Sequence, residues 1–334
     1  MARPQIFVTR HIPAGGLRLL EATCDVTIWP DALPPTREAL LAHARDCDGL
    51  LTLLSDRIDG EVLDRCPRVR VVSNMAVGYD NIDVQAATAR GVFVGNTPNV
   101  LDETTADCAF ALLLALARRI PEAIAYVRED SWETWGPLLL LGRDVHHATL
   151  GIVGLGRIGE QMAQRARGFD MRILYAGPQR HPETEARLGL EYTSLPDLLR
   201  QSDFISLHAP LTPQTRGMFG PAAFAQMQPT AMLINTSRGP LVDTDALLVA
   251  LQMGIIGGAA LDVSDPEPMR AHHPLVQLPN CIVVPHIASA SEQTRTRMAE
   301  IAARNLLAGL HGEALPAGVN PDAAHHGRQA ELRT

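Results

Sequence analysis

The sequence has no cysteine pair of the C-x-x-C kind. Its five cysteines, Cys24, Cys47, Cys66, Cys108 and Cys281, are odd in number and scattered. That sets aside a disulfide framework and reads as reduced core thiols in a cytosolic protein. There is no H-E-x-x-H and no cluster of Cys and His. The adjacent pairs His146-His147, His272-His273 and His325-His326 cannot both face one ion from a regular element, so no metal site is expected. Ser237 lacks a G-x-S-x-G setting, which removes that route to a hydrolase triad. Long apolar runs are missing too: the longest, residues 109–117, is half the length of a membrane span. The opening MARPQIFVTR is polar and then strand-like, without the apolar stretch of a signal peptide, so a cytoplasmic protein is expected. Nor is there an excess of positive charge. The formal net charge of −8 argues against a nucleic-acid groove or an anionic membrane surface as partner. No repeat of fixed period is visible.

What is present is a long chain of alternating elements. Its 334 residues, 46% of them apolar, exceed one ordinary core and imply two domains. Strand-like pieces at 5–9, 25–29, 49–54, 69–73 and 92–95 alternate with helical pieces at 13–23, 36–44, 59–66 and 84–90. Such alternation implies an α/β domain with a parallel sheet. Thr97-Pro98-Asn99 breaks it as a linker. The strongest helix of the chain follows at 103–119, with Thr104 or Thr105 as its cap, and residues 132–142 are irregular. The alternation restarts with six strands, at 149–153, 172–175, 204–207, 231–235, 258–263 and 281–284. A long helix at 291–310 closes it, and the last dozen residues, without periodicity, read as a frayed tail.

The first strand of this second series runs into Gly154-Leu155-Gly156-Arg157-Ile158-Gly159 and then a helix. That is the G-x-G-x-x-G turn that seats a dinucleotide pyrophosphate on a helix N-terminus. Gly154 permits the tight turn, Gly156 the approach of the pyrophosphate, and Gly159 close helix–sheet packing. After the next strand, no acid precedes Glu183 to hold a ribose 2′-hydroxyl, whereas Arg180 either pairs with a 2′-phosphate or is simply solvated. The balance favours NADPH over NADH. Three later strands end in Arg238, in Pro266-Glu267-Pro268 and in Pro285-His286. Ligands of open α/β sheets bind at such strand ends. Arginine there suits a carboxylate, and a Glu beside a His favours the imidazolium that a general acid needs. The loop 74–81 leads toward a helix and is either an ordinary turn or an anion site of backbone amides.

These residues carry a resemblance. Over residues 5–321 the chain resembles the D-isomer-specific 2-hydroxyacid dehydrogenases, through NMAVGYDNID (74–83), TPNVLDETTAD (97–107), TLGIVGLGRIG (149–159), INTSRGPLVD (234–243), ALDVSDPEP (260–268) and PHIASA (285–290). Within the family it looks most like the glyoxylate/hydroxypyruvate reductase branch, by AVGYDNID and the paired tryptophans Trp132 and Trp135.

The resemblance implies two Rossmann-like or flavodoxin-like parallel-sheet domains, the cofactor domain (99–287) inserted into a substrate domain (1–98 and 288–334). It implies NADP or NAD as cofactor and NAD(P)H-dependent reduction of a small 2-oxo acid to the D-2-hydroxy acid, in a cleft between the domains. Arg238 would bind the substrate carboxylate and carbonyl, His286 would be the acid/base, and Glu267 would orient and charge it. The backbone at Val77 and Gly78 would grip the carboxylate. Leu155, Arg157 and Ile158 would contact the pyrophosphate, Thr105 would lie near the nicotinamide-side phosphate, and Asp262 would face the nicotinamide carboxamide. Pro210, Thr215 and Thr236 would complete the cofactor contacts. A homodimer through the cofactor domains is implied, with Trp135 approaching the partner's active site. Two departures stand out. Gly177-Pro178-Gln179 replaces a Ser-Arg-Thr-like segment, and Ala288 replaces a glycine. The alternatives are a phosphoglycerate or bulkier 2-oxo acid enzyme of the same family, or a non-catalytic NAD(P)-sensing co-regulator.

Overall fold

Two wholly parallel sheets organise the chain; the computed structural model describes residues 2–326 and residue 328. One compact unit is the chain up to Leu101 together with the chain from Ser291 onward, and the other is Asp102–Ala290.

The first unit opens with β1 (Gln5–Val8), α1 (Ala14–Glu21), β2 (Asp25–Ile28), α2 (Arg37–Ala44), β3 (Gly49–Thr52), α3 (Gly60–Arg65), β4 (Val71–Asn74), α4 (Val84–Ala89) and β5 (Phe93–Gly95). Its sheet has the order β2-β1-β3-β4-β5, the flavodoxin-like order. Helices on both faces cover its central strands, so β3 and β4 are buried at every residue, while the edge strand β2 stays partly exposed. Thr36, Asp59 and Asp83 start three of the helices, each accepting from the amide three residues on.

The second unit runs through α5 (Asp102–Ala117), α6 (Ile120–Arg128), β6 (Thr149–Val153), α7 (Arg157–Arg167), β7 (Arg172–Ala176), α8 (Pro182–Leu188), β8 (Leu190–Tyr192), α9 (Leu195–Gln201), β9 (Phe204–Leu207), α10 (Pro221–Phe224), β10 (Met232–Asn235), α11 (Thr244–Gln252), β11 (Gly258–Leu261), α12 (Pro274–Gln277) and β12 (Cys281–Val283). The sheet order is β12-β11-β10-β9-β6-β7-β8. Two layers of apolar side chains sandwich it. One holds Leu113, Met162 and Tyr175, the other Leu174, Leu207 and Phe219.

Three readings of the sequence change. The sheet has a seventh strand, β8, which has three residues and only Leu190 buried, too little to show an alternation. Helices α6, α8 and α12 add to the expected elements; they are short, and α6 has no buried residue to mark it in the sequence. Helix α5 begins at Asp102, so Thr104 and Thr105 lie inside it rather than capping it.

Helix α13 (Glu292–Leu310) returns to the first unit, with Ser291 accepting from the Thr294 amide at its start. It lies on α1 and on the face of β3, β4 and β5. Its buried Asn305 donates to the Asn96 carbonyl at 2.9 Å and accepts from the Ala317 amide at 2.9 Å, fastening the following segment along the β5 edge. The frayed tail expected from residue 323 is therefore partly corrected. Pro321–His325 is a short 3-10 helix, and the Arg328 guanidinium donates to the carbonyls of Leu63, Cys66 and Val69. Residues 327 and 329–334 lie outside the described residues.

Gly16 sets the approach of α1 to α13: a Cβ there would stand 2.7 Å from the Ala299 carbonyl oxygen. Alanine normally gains about 1 kcal/mol over glycine inside a helix. Backbone overlap cannot be relieved by a rotamer and costs about 1–3 kcal/mol. Gly16→Ala is thus expected to lower stability by about 1 kcal/mol net, read from urea denaturation; a stabilised variant would contradict the close approach.

Candidate active site

Strand register levels one rim of the second sheet. Val153 pairs with Leu207, Leu207 with Asn235, Asn235 with Leu261 and Leu261 with Val283. The residues that follow each strand therefore emerge together: the glycine turn, His208, 236–238, 262–267 and 284–286. Strand order reverses between β6 and β9, the place where doubly wound sheets take ligands.

At the turn, Gly154 has φ +94°, strained for any side chain, and a Cβ would stand 2.8 Å from the Ala209 nitrogen. A Cβ on Gly156 would meet nothing within 4 Å, so the backbone there faces open space. Gly156 is the N-cap of α7 and brings no capping side chain. The amides of Arg157, Ile158 and Gly159 consequently have no partner inside the helix, and the positive end of its dipole is bare. Leu155 is buried beneath the turn, and Arg157 is exposed. On the neighbouring rim the buried Thr236 hydroxyl has no hydrogen-bond partner among the described residues. An open helix start, a glycine with free space and an unpaired buried hydroxyl fit a bound dinucleotide.

Other residues expected to touch the cofactor have different settings. Thr105 is buried on α5, which packs along α7. Pro210 is exposed in the loop after β9. The Thr215 hydroxyl donates to the Pro210 carbonyl at 2.7 Å, accepts from the Thr212 amide at 2.8 Å and meets the Thr212 hydroxyl at 3.2 Å. Its bonding capacity is used up in shaping that loop. Arg180 is held by Glu185 through contacts of 2.8 to 3.0 Å. Both oxygens of Asp262, which is 1% exposed, accept from backbone: the Ile287 amide at 2.6 Å and the Ala288 amide at 2.9 Å. Burial raises its carboxyl above the ordinary range despite these two bonds. Asp262 thus clamps the segment that carries His286, with one lone pair per oxygen left over.

The chemistry-bearing side chains stand on three consecutive strand ends. The Asn235 side chain accepts from the Ser237 amide at 3.0 Å and donates to the Arg238 carbonyl at 2.9 Å, so it folds the Arg238 loop on itself. Gly239 lets that loop close on the next one, because a Cβ there would stand 2.0 Å from the Ser264 carbonyl oxygen. Glu267 lies in that next loop between two cis prolyl bonds. Its Oε1 is 2.7 Å from His286 Nδ1. His286 has φ +54°, and its amide donates to the Asp262 carbonyl at 2.9 Å.

Burial raises the Glu267 carboxyl, but the His286 hydrogen bond and charge, with Arg238 nearby, outweigh it and hold the group below the ordinary carboxylate range. An ionised Glu267 can only accept, so Nδ1 carries the hydrogen and Nε2 is left to hold or release a proton.

In the first unit, the loop after β4 is tied at its carbonyls. Asn96 donates to the Val77 carbonyl at 2.8 Å and Asn74 to the Gly78 carbonyl at 2.9 Å. Neither the Val77 nor the Gly78 amide donates within the described residues. Two amides fixed in this way are able to donate to an anion.

His208 escaped the sequence reading. Its Nε2 is 2.9 Å from the Ser206 hydroxyl, and burial pushes the imidazole down to about 4, so it is neutral at physiological pH. Its place directly after β9, against the Gly154 turn, was the signal available.

Comparison with known proteins identifies the family. Residues 110–288 match the model of the D-isomer specific 2-hydroxyacid dehydrogenase NAD binding domain. A glyoxylate reductase of Korarchaeum cryptofilum is 51% identical over 321 residues, 96% of this chain and 97% of that one. A solved structure from Thermus thermophilus is 44% identical with a TM-score of 0.89, covering 94% of this chain and 99% of that one. An NADPH-dependent glyoxylate/hydroxypyruvate reductase of Sinorhizobium meliloti, solved with NADP and malonate, is 33% identical with a TM-score of 0.84 and covers 96% and 98%. The chain belongs to the D-isomer-specific 2-hydroxyacid dehydrogenase family. It is an oxidoreductase that uses a nicotinamide dinucleotide.

The lowered Glu267 carboxyl fixes the sign of a pH effect. Its contribution to stability is full above the unfolded value of about 4.3 and fades as pH falls through the lower folded value. Glu267 is 43% exposed, so screening keeps that contribution under about 1 kcal/mol. Glu267→Gln should therefore differ little from the parent in urea at pH 7 and converge with it as pH falls through the lowered folded value. Its kcat should nonetheless fall by about a hundredfold. A large stability loss with kcat retained would make Glu267 a structural residue.

Proposed function

We propose that the protein reduces glyoxylate or hydroxypyruvate to the D-2-hydroxy acid, with His286 as general acid, in the reducing environment of the cytoplasm. The observation that carries this reading is the His286–Glu267 pair on the rim that also holds Arg238 and the glycine turn. The first unit serves as the substrate domain and the second as the dinucleotide domain. The turn amides of Arg157, Ile158 and Gly159, with Leu155 beneath them, hold the pyrophosphate, and Thr236 supplies a hydroxyl. When bound, the dinucleotide supplies the hydride.

Arg238 holds the substrate carboxylate and polarises its carbonyl. The Val77 and Gly78 amides are further donors suited to the carboxylate. His286 keeps its proton on Nε2, within reach of the substrate carbonyl oxygen, and releases it as negative charge develops there. Glu267 keeps the ring in one orientation and stabilises its charged form. Asp262 holds the backbone from which the ring projects. The small acid is favoured because none of the assigned residues addresses a second anionic group.

His286→Ala should lose kcat by at least about a hundredfold on glyoxylate while retaining dinucleotide binding. A variant with near-normal kcat would remove His286 from the mechanism. The same assay run with hydroxypyruvate, pyruvate and 3-phosphohydroxypyruvate ranks the substrates.

The protein acts, on this reading, as a homodimer. Helix α6 buries none of its residues, and the irregular segment after it exposes Trp132, Trp135 (78%) and Leu138 (79%). Several large apolar side chains exposed along one segment are costly to leave in water. Light scattering should give twice the chain mass, and Leu138→Asp should lower it; a parent of single-chain mass would refute the dimer.

A further inference from the structure

The loop that follows β7 holds an arrangement that the reaction itself does not need. In that loop, residues 177–181, Arg180 is the one permanent cation. Its Nε lies 2.9 and 3.0 Å from the two Glu185 oxygens, and its Nη2 lies 2.8 Å from Oε2. Glu185 stands on α8 and is itself anchored. The Tyr175 hydroxyl donates to its Oε1 at 2.6 Å, and that hydroxyl accepts from the His181 amide at 2.7 Å. Tyr175 is fully buried in β7. The Glu185 side chain is 11% exposed, whereas that of Arg180 is 64% exposed. The carboxylate is the fixed partner and the guanidinium the movable one. At Gly177, where an acid would stand in a chain built to hold a ribose 2′-hydroxyl, there is no side chain, and a Cβ would meet nothing within 4 Å.

We propose that Glu185 selects the dinucleotide: by holding Arg180 it makes the protein favour NADH, and NADPH binds only when Arg180 leaves Glu185 for the 2′-phosphate. This rests on the reading above that the glycine turn seats a dinucleotide, with its adenosine ribose at the end of β7. NADH places no demand on Arg180. A 2′-phosphate needs a cation, and the loop has one. Moving it strips a largely buried carboxylate of its charge partner and sets a dianion close to it. The phosphate regains an arginine contact, so the exchange is not forbidden. What is lost is one charge-assisted bond at Glu185 plus like-charge repulsion, on the order of a tenfold preference. Tyr175 acts here as a positioning residue, because it fixes the carboxylate that fixes Arg180.

The test is binding to the full-length chain, independent of turnover. NADH and NADPH are titrated by nicotinamide fluorescence, and AMP and adenosine 2′,5′-bisphosphate by calorimetry. The parent should bind NADH about tenfold more tightly than NADPH. Glu185→Gln should tighten NADPH and the bisphosphate by about tenfold and leave NADH and AMP within about twofold. Tyr175→Phe should act in the same direction with a smaller effect. Glu185→Gln combined with Arg180→Gln should lose the gain. A parent that prefers NADPH, a Glu185→Gln selectivity ratio within about twofold of the parent's, or a gain that survives removal of Arg180 would each overturn the proposal. A parent that binds no dinucleotide overturns both this and the reading beneath it. Dinucleotide binding without reduction of any 2-oxo acid overturns only the reaction, and the selectivity ratios still decide the role of Glu185.

Discussion

The register of the parallel strands in the second unit is the constraint on which its chemistry depends. Five strands stop at one level, so five loops begin at one level, and residues far apart in sequence share a rim. Parallel strands cannot pair without crossovers, and every crossover returns the chain to the same starting edge. That geometry collects the glycine turn, Arg238, Glu267 and His286 without any of them contributing to the core. The core can then be largely apolar, with Phe204, Leu233 and Ala260 filling strand positions that carry no chemistry.

In each unit separately, polar side chains fix the loops. Asn235 bends the β10 loop, Asp262 ties the β12 loop to the β11 end, and Asn74 and Asn96 hold the β4 loop of the first unit. In each case a side chain bonds backbone, so the loop is shaped by a group that stays out of the reaction. His286 shows the result. Its left-handed backbone is unusual for a residue with a Cβ, and the Asp262 carbonyl and carboxylate hold that conformation from two sides.

How much of this was legible follows from the range of each signal. Periodicity is local, so eleven of the strands and the long helix α13 are readable, while β8, only the three residues Leu190–Tyr192, is too short to show a pattern. The glycine turn was readable because its spacing carries the geometry within six residues. Arg238, Glu267 and His286 stood out because each follows a strand. Their partners did not. Asp262 and Ile287 are 25 residues apart, and only the pairing of β11 with β12 brings them together. The same holds for Arg180, whose sequence neighbourhood favoured NADPH. Glu185 is five residues away, and only the fold of α8, too short to show periodicity, turns its carboxylate toward the arginine.

The return of α13 to the first unit bears on the order in which the chain acquires its structure during synthesis. The second unit is contiguous and has all its strands once Ala290 has been made. The first unit has its five strands by Gly95, yet the part of one sheet face over β3, β4 and β5 stays uncovered until α13 arrives. Closing a loop the length of the second unit costs little more than closing a short one, since the entropy grows only with the logarithm of length. The penalty is one of time. A half-covered sheet must wait on the ribosome while the inserted unit is translated, and it is during that interval that chaperone binding or misassociation has its opportunity.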